Sequence, residues 1–388
     1  MSVDLWVRKL KLTSYRNYSS ANIQLDARPV VLVGQNGAGK TNMMEAISYL
    51  SPGRGMRSAG LDKLQNTSET IQGWSVFADL ETAKGPVQVG TGIESPDRTR
   101  DRISKRIVRI NGEAATGQAE LRQHLSVSWM TPQMDRLFVD TASERRRFLD
   151  RLVYGFNKGH ARAVSQYDHA RSERLKLLKE GRGDATWLDT LEQRLWQFGQ
   201  QIYQSRQNAL EALQPFCLER LGPFPTANLL LESDCHMENE GQFLAKMAQN
   251  RLIDGRSGTT IYGVHKTDLS VIHVEKKTQA NQCSTGEQKA LLIALILANA
   301  RALAKIQGVG PLLLLDEVAA HLDEERRNSL FQEILALNAQ TWMTGTEQEP
   351  FAGLTDQAQF IEIAAGEIKQ QKDKHLSLVE KRYGESSG

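Results

Sequence analysis

A glycine-rich segment directly follows an apolar run near the N-terminus. Residues 28–41 read RPVVLVGQNGAGKT, which contains the spacing G-x-x-x-x-G-K-T. Glycines at these positions let backbone N–H groups surround phosphate oxygens at the start of the next helix, while Lys40 bridges the outer phosphates and Thr41 ligates Mg²⁺. The segment therefore predicts a P-loop for ATP, with contacts from Gly34, Gln35, Asn36, Gly37, Ala38, Gly39, Lys40, Thr41 and Asn42.

A second apolar run ends in two adjacent carboxylates. Residues 311–323 read PLLLLDEVAAHLD, which favours a buried strand followed by Asp316 and Glu317. Beside a P-loop, Asp316 would join the magnesium shell, and Glu317 would be the general base for the water that attacks the γ-phosphate. Taken alone, the Asp-Glu pair is also compatible with a helix cap. The upstream P-loop favours the catalytic interpretation, in which Glu317 and Lys40 act on the phosphates.

A polar turn opens an apolar helix between these two segments. Residues 282–292 read QCSTGEQKALL. A helix N-terminus with a hydroxyl is an anion site, so Ser284 is a candidate for phosphate contact, and Gly286 and Glu287 belong to the same candidate turn. Ser284 and Glu287 also stand at capping-box spacing, and this turn by itself is better explained as an ordinary helix cap.

Apolar periodicity indicates which elements would position these residues. Alternation bounded by turn residues predicts strands over residues 22–26, 28–33, 73–80, 86–94, 105–110 and 125–130, and later at 311–315 and 341–344. Asn111-Gly112 predicts a hairpin. A helix is expected from residue 40 to residue 50, directly after the glycine-rich segment. The first part of the chain is therefore predicted to be α/β.

Residues 143–217 have a helical composition. An apolar stripe at spacings of three and four, with a break at residues 181–184, predicts two antiparallel helices; the stripe consists of Leu188, Leu191, Leu195, Phe198 and Ile202. The stripe could alternatively pack on the neighbouring domain. The predicted organisation is a bipartite domain of residues 1–140 and 223–370, a helical insertion of residues 141–222, and a flexible tail of residues 371–388.

Composition narrows the class of protein. The chain has 388 residues and a formal net charge of +2, so any nucleic-acid contact must come from local basic patches. Its three scattered cysteines form no C-x-x-C pair, and its N-terminus has no signal-peptide pattern. No apolar run reaches the ~20 residues of a membrane span, and residues 290–300 are expected to form a buried helix. These features predict a cytoplasmic protein.

The order of the motifs resembles the ABC-type P-loop ATPase heads of SMC-like proteins. The resemblance implies an α/β fold with an inserted helical hairpin domain, ATP and Mg²⁺ as cofactors, and a head-to-tail homodimer. In such a dimer Ser284 of one copy would cap the γ-phosphate held by the other. The resemblance places Asp323 in a D-loop, Thr344 at the switch position and Gln133 where a Q-loop glutamine touches magnesium. Gln133 could equally be a plain loop residue.

Within these proteins the chain is similar to the RecF family of DNA-repair proteins over nearly its whole length. The similarity rests on the segments LTSYRNY, GAGKTNMMEAISYL, SPGRGMRS, ASERRRFLDRLVYG, GVHKTDL and CSTGEQ. The chain departs from the family at GVHKTD, where GPHRDD is usual, and at Thr285, where a signature glycine is usual. The resemblance implies ATP-dependent DNA binding, slow DNA-stimulated ATP hydrolysis, recombinase loading and SOS induction, with RecR- and RecO-type mediators as partners.

Basic stretches at residues 102–109, 145–147, 171–179 and 276–277 are candidates for DNA contact. Such clusters neutralise phosphates without reading bases, but each is also typical of a solvated or ion-paired surface. Together with the family resemblance they predict contacts from Arg57, Arg102, Lys105, Arg106, Arg145 and Arg146.

Two other classes of protein are alternatives. A soluble regulatory or defence ATPase of the overcoming-lysogenization type would carry a nuclease domain, but only about 65 residues follow the second carboxylate motif and they hold no acidic metal-binding cluster. A transporter ATPase would usually carry a switch histidine and a coupling surface for membrane helices, and neither is evident.

Overall fold

A computed structural model describes residues 3–68, 73–93, 105–181, 184–235, 237–337 and 339–370. The N-terminal elements are β1 Leu5–Tyr15, β2 Tyr18–Gln24, β3 Val30–Val33, α1 Lys40–Ser48, β4 Trp74–Thr82, β5 Gly85–Ile93, β6 Arg106–Ile110, β7 Glu113–Ala114 and β8 Val127–Met130. The middle elements are α2 Ala142–Phe156, α3 His160–Glu180, α4 Ala185–Leu218, β9 Ala227–Glu232, α5 Glu240–Gln249, α6 Arg251–Ser257, β10 Asp268–His273 and β11 Thr278–Gln279. The C-terminal elements are α7 Thr285–Gln307, β12 Leu312–Leu315, α8 Glu324–Ala336, β13 Thr341–Gly345, β14 Gln359–Ala364 and β15 Glu367–Gln370.

The chain divides into two compact units. The first contains residues 1–134 and 300–388, and the second contains residues 135–299. The first unit is built from both ends of the chain. The second unit is larger than the predicted insertion of residues 141–222, because it also includes β9 to β11, α5, α6 and the start of α7.

A largely parallel sheet organises the first unit. Its strand order is β15-β14-β3-β13-β12-β8, and every pairing is parallel except that of β14 with β15. The strands β3, β13, β12 and β8 therefore end at the same edge. Since loops after the carboxyl ends of parallel strands meet at one edge, this topology brings together segments that are far apart in sequence.

A six-stranded antiparallel sheet, in the order β2-β1-β4-β5-β6-β7, forms the other layer of the first unit. Its inner face packs in one hydrophobic core with the buried side of α1 and one face of the parallel sheet. The Asn111-Gly112 hairpin joins β6 to β7, and both residues have positive φ (50° and 86°), as a tight primed turn requires. The hairpin prediction is confirmed. The long strand β1 was not predicted.

The second unit contains three long helices and a three-stranded antiparallel sheet in the order β11-β10-β9. Helices α3 and α4 are antiparallel, because Arg174 pairs with Glu192 and Gly199 lies beside Tyr167. The prediction of a hairpin is thus confirmed. The prediction of a single break was wrong: the chain also leaves the helical conformation at residues 157–159, so α2 is a separate helix.

The apolar stripe of α4 packs on other helices of its own unit. Leu191, Leu195 and Ile202 are buried in a cluster that includes residues of α3 and also Phe243 and Met247 of α5.

Helix α7 is the one described helix long and apolar enough to cross a membrane, and 67% of its apolar window is buried inside the protein. That burial is what a core helix requires.

Candidate nucleotide-binding site

The glycine-rich segment forms the loop between β3 and α1. Gly34 has φ 155°, and a Cβ there would lie 2.2 Å from the carbonyl oxygen of Ile363. Gly39 has φ 120°, and a Cβ would lie 2.6 Å from Asn17 Nδ2 and 2.7 Å from Tyr18 Oη. Both positions therefore require glycine for close approach and for a conformation that L side chains rarely adopt. The described loop has the strand-loop-helix context of a phosphate-binding P-loop.

Lys40 begins α1 and turns back over the loop. Its Nζ donates hydrogen bonds to the carbonyl oxygens of Gly34 (2.6 Å) and Gln35 (3.0 Å), and the residue is 4% exposed. Burial lowers the pKa of Lys40, while Glu317 and Asp316 oppose that shift by favouring the charged form. The loop thus holds a confined ammonium group whose acceptors are neutral carbonyls, which fits a bound polyanion.

Asp316 follows β12, and Thr344 lies in the adjacent strand β13. Asp316 Oδ1 accepts hydrogen bonds from Thr41 Oγ1 (3.0 Å) and Thr344 Oγ1 (2.8 Å). Burial raises the pKa of Asp316, and these two hydrogen bonds oppose the rise. A hydroxyl and a carboxylate with no nitrogen or sulfur donor suit a hard divalent cation, so Thr41 and Asp316 fit the predicted Mg²⁺.

Glu317 has a backbone conformation that is rare for its residue type. Its φ is 53°, and its backbone N–H donates to Thr344 Oγ1 at 2.8 Å. Such a left-handed conformation costs on the order of 1 kcal/mol or more outside glycine, and such strain is typical of functional sites. Thr344 therefore connects both carboxylate residues, holding the side chain of Asp316 and the backbone of Glu317 with one hydroxyl.

Replacing Thr344 by Val should lower the ATP hydrolysis rate more than ATP affinity. The variant keeps the shape of the side chain but removes the acceptor for Glu317 and the donor for Asp316, and one unsatisfied buried group costs roughly 1–3 kcal/mol. We expect a roughly tenfold or greater fall in kcat, since about 1.4 kcal/mol corresponds to a factor of ten. Steady-state hydrolysis and nucleotide-binding titrations would check it. Thr344→Ser is the matched control and should retain most of the rate.

Gln133 lies in a short 3₁₀ segment, Pro132–Arg136, directly after β8. Because β8 pairs in parallel with β12, this segment leaves the sheet at the edge that carries Asp316. The side chain of Gln133 is exposed. Its magnesium contact stays a prediction.

The turn at Ser284 lies in the second unit and caps α7. The Glu287 carboxylate accepts a hydrogen bond from the Ser284 backbone N–H at 3.0 Å and also pairs with Lys276. The hydrogen bond from Lys276 is the largest cause that lowers the pKa of Glu287 to about 2. A Cβ on Gly286 would meet open space, and Ser284 is exposed. The capping interpretation thus describes the turn within one chain; its contact with nucleotide stays a prediction.

Asp323 is the N-cap of α8. Its side chain accepts a hydrogen bond from the Arg326 backbone N–H at 2.8 Å and is 58% exposed. N-capping stabilises a helix start and explains an aspartate at this position on structural grounds alone. A D-loop role for Asp323 stays a prediction.

Two residues of the β1–β2 turn support the P-loop and were not singled out as site residues in the sequence. Asn17 Nδ2 donates to the carbonyl oxygen of Ala38 (2.9 Å), and Tyr18 Oη donates to that of Gly39 (3.0 Å). Asn42 in turn donates to Asn17 Oδ1 at 2.8 Å. The available signal was the segment LTSYRNY, which contributed only to the family resemblance. These contacts assign it a local role in holding the loop.

Arg106 is a buried structural residue, so its prediction as a DNA contact was wrong. It is 6% exposed. Its guanidinium donates to Thr91 Oγ1 (2.8 Å), to the Gly53 carbonyl oxygen (2.8 Å) and to backbone carbonyl oxygens at Tyr49 and Ser51, just after α1. Burial without a carboxylate partner lowers its pKa to about 10. The residue caps the C-terminal end of the P-loop helix rather than facing a ligand.

The other residues predicted to contact DNA differ in how free their side chains are to bind a phosphate. Arg145 binds Asp268 through two hydrogen bonds (2.9 and 2.5 Å), and Arg146 donates to the Thr267 carbonyl oxygen at 2.9 Å. Arg57 is partly exposed and donates to Asn42 at 2.9 Å. Lys105 is exposed, and Arg102 lies outside the described residues. Arg145 has the least freedom to meet a phosphate, because its carboxylate partner already neutralises it.

Replacing Arg106 by Met should lower the free energy of unfolding by at least about 2 kcal/mol. The substitution leaves several buried carbonyls without a donor, and each costs roughly 1–3 kcal/mol. Chemical denaturation would measure the loss, with the exposed neighbour Lys105→Met as control. Loss of DNA binding with unchanged stability would show instead that Arg106 reaches DNA.

Comparison with known proteins gives consistent results. The model for the RecF/RecN/SMC N terminal domain matches residues 6–369. The chain is 45% identical over 387 residues to the DNA replication and repair protein RecF of Allorhizobium ampelinum, covering 97% of this chain and 100% of that protein. It is 45% identical over 369 residues to the RecF protein of Rhizobium etli, covering 93% and 97%.

Solved structures identify the fold. One described as the recombination mediator protein RecF-ATPrS in the RecFOR pathway matches with a TM-score of 0.82 at 20% identity, covering 95% of this chain and 99% of that chain. The Smc head domain with an extended coiled coil, bound to the C-terminal domain of ScpA from Pyrococcus furiosus, matches with a TM-score of 0.54 at 16% identity, covering 97% and 99%. The predicted α/β fold of an ABC-type ATPase head is confirmed.

Proposed function

Since the chain belongs to the RecF family, we propose that it is an ATP-dependent DNA-binding protein of recombinational repair and replication restart. The observation that carries the ATP-dependent part is the convergence of two segments, each distant in sequence, on Asp316. Thr41 from the P-loop helix and Thr344 from β13 both donate to its carboxylate, next to the buried ammonium of Lys40. This arrangement supports nucleotide binding with metal-assisted phosphoryl chemistry.

Each residue has a separate task in this proposal. The P-loop amides and Lys40 bind the β- and γ-phosphates, and Thr41 and Asp316 hold Mg²⁺. When bound, Mg²⁺ would neutralise phosphate charge and polarise phosphoryl oxygens. Glu317 orients a water molecule and accepts its proton as that water attacks the γ-phosphate, while the bond from the γ-phosphorus to the bridging oxygen breaks and ADP leaves. Thr344 holds the carboxylate of Asp316 and the backbone of Glu317. Thr285, which stands where the family usually has a signature glycine, is not one of these residues.

The complete site requires two copies of the chain. Ser284 of a second copy would cap the γ-phosphate held by the first, so ATP joins the two heads from both sides. ATP binding then closes a clamp on duplex DNA or on junctions of single and double strands, and slow hydrolysis by Glu317 opens it. The exposed Ser284 and the open space beside Gly286 support an accessible surface at this turn.

The partners follow from the family. Two of the structures similar to this chain are described as belonging to the RecFOR pathway, and we therefore infer that mediator proteins of the RecR and RecO type and a recombinase act with this chain in the cytoplasm. Support for SOS induction would be a consequence of that loading step. The competing function is an ABC-type regulatory or defence ATPase that does not act on DNA.

DNA binding with and without nucleotide tests the proposal. Purified full-chain protein would be titrated onto duplex and gapped DNA in Mg²⁺ with ATP, with ADP and without nucleotide. Affinity that rises at least roughly tenfold with ATP supports the clamp, since about 1.4 kcal/mol of coupling is typical between linked sites. ATP hydrolysis that is indifferent to DNA, with equal DNA affinity in all three states, would favour the regulatory alternative.

A further inference from the structure

The antiparallel sheet of the first unit has an outer face that is polar and partly aromatic. Along β1, β4 and β5, residues alternate between the buried core and this outer face. The strand registers place one residue of each of five strands in a single row across it: Asn22, Lys11, Phe77, Gly90 and Arg109. Cross-strand neighbours lie about 4.8 Å apart, so Lys11 and Arg109 lie within roughly 10 Å of Phe77.

Phe77 is an unexpected residue for this face. It is partly exposed, whereas its neighbours Ser75 and Gln88 on the same face are exposed polar residues. The glycine directly opposite it, Gly90, leaves one side of the ring without a neighbouring side chain. Packing does not demand that glycine, because its φ is ordinary and a Cβ would meet only Arg109 Cβ at 3.9 Å. The face therefore keeps open space next to an aromatic ring.

The charges on the same face favour an anionic ligand. Lys9, Lys11 and Arg109 point outward, and none of them forms an ion pair with any described residue. The outward carboxylates are Asp79 and Glu81, and Glu81 is paired with Arg8 at 3.5 Å. A protein interface would instead be depleted of charged residues at its centre. Unpaired cations around an accessible ring are the pattern of single-strand nucleic-acid binding.

We propose that this outer sheet face, defined by Lys11, Phe77, Gly90 and Arg109, binds single-stranded DNA. An unpaired base stacks on Phe77 in the space beside Gly90, and Lys11 and Arg109 contact the flanking phosphates. Bases inside a duplex are already stacked on their neighbours and cannot use this ring. The inference rests on the proposed DNA-binding function and adds to it a surface that distinguishes the single-stranded arm of a junction from its duplex arm.

Two substitutions test the stacking contact, one by removing the aromatic ring and the other by filling the space beside it. Phe77→Ala removes the ring, and Gly90→Val fills the space beside it with a residue that strands favour. Full-chain protein with ATP and Mg²⁺ would be titrated onto fluorescein-labelled oligothymidine and onto a duplex of equal length. We expect roughly five- to hundredfold weaker single-strand binding for each variant, the range for losing one base–aromatic stack. Duplex affinity should stay within about twofold, because both substitutions leave the phosphate contacts in place.

Charge variants provide the second measurement. Lys11→Ala should make the dependence of log affinity on log salt shallower by about 0.7 for single strands, the value for one lost phosphate contact. The control Lys63→Ala removes an exposed lysine outside the sheet and should leave the slope unchanged. Phe77→Trp, unlike Phe77→Ala, should bind single strands about as tightly as the parent protein. A purely structural role for the phenylalanine ring would not explain that result.

Several outcomes would overturn the proposal. If the parent protein binds DNA with ATP but Phe77→Ala and Gly90→Val bind single strands as tightly as the parent, the face does not stack bases, and a protein partner becomes its better explanation. An equal loss on duplex and single strands would show a backbone contact only. If the parent binds no DNA in any nucleotide state, the DNA-binding function itself fails, and this inference fails with it.

Discussion

Replacing Lys40 by Ala is expected to abolish ATP-dependent dimerisation. The buried Nζ is the one cation that the described P-loop places within its own loop, where it donates to the carbonyl oxygens of Gly34 and Gln35. Hydrogen bonds from a charged donor to phosphate are worth roughly 1.5–3 kcal/mol each, so ATP affinity should fall by at least about tenfold. Light scattering with ATP and Mg²⁺ should then detect only monomers, and thermal unfolding without nucleotide should show that the variant folds.

Mixing two inactive variants provides a sharper control for the same prediction. Ser284→Arg should also remain monomeric, because the bulky side chain blocks the signature turn of the partner site. A mixture of Lys40→Ala and Ser284→Arg can form one complete site, with Lys40 from one copy and Ser284 from the other. ATP-dependent heterodimers in the mixture support a shared site. Dimers of Lys40→Ala alone that match the parent would remove nucleotide as the joining element.

Replacing Glu317 by Gln is expected to leave ATP binding intact and trap the dimer on DNA. The amide keeps the shape of the side chain and can still orient water, but it cannot accept a proton at neutral pH. Loss of a general base typically lowers the rate by about 10²–10⁴-fold. Steady-state hydrolysis would measure kcat, and dissociation of labelled DNA after ATP is chased with ADP would measure trapping.

The matched control is Glu324→Gln, an acidic residue in the first turn of α8 that the site does not use. It should hydrolyse ATP at the parent rate. If Glu317→Gln also turns over ATP at that rate, another group is the base. If it hydrolyses slowly but releases DNA as fast as the parent, hydrolysis does not control opening of the clamp.

The sequence predicted most strands of the first unit because their apolar alternation is regular. β3, β4, β5, β6, β8, β12 and β13 were all expected within a few residues of their observed bounds. β1 was missed for a physical reason: its register shifts between Val7 and Lys9, which interrupts the alternation, and four of its residues are lysine, arginine or tryptophan. Irregular strands of this kind are recognisable only when their partners are known.

The P-loop and the Asp316-Glu317 pair could be predicted because their chemistry depends on short spacings. Family resemblance placed Thr344 at the switch position. Its hydrogen bonds to the Asp316 side chain and the Glu317 backbone could not be predicted from spacing, because β12 and β13 are adjacent only through the sheet topology. Arg106 is a residue that the sequence pattern misassigns. Its basic neighbours favour a ligand contact, but the alternation of side chains along β6 points Arg106 into the core. Charge clustering does not reveal which side of a strand each cation occupies.

ATP is proposed to turn this chain into a DNA-binding dimer. The most direct test measures molecular mass by light scattering for the full-chain protein with duplex DNA present, in Mg²⁺ with either ATP or ADP. We expect two chains per DNA with ATP, and free monomers with ADP. Protein that binds DNA as a monomer in both nucleotides, or that dimerises with ATP without retaining DNA, would contradict it.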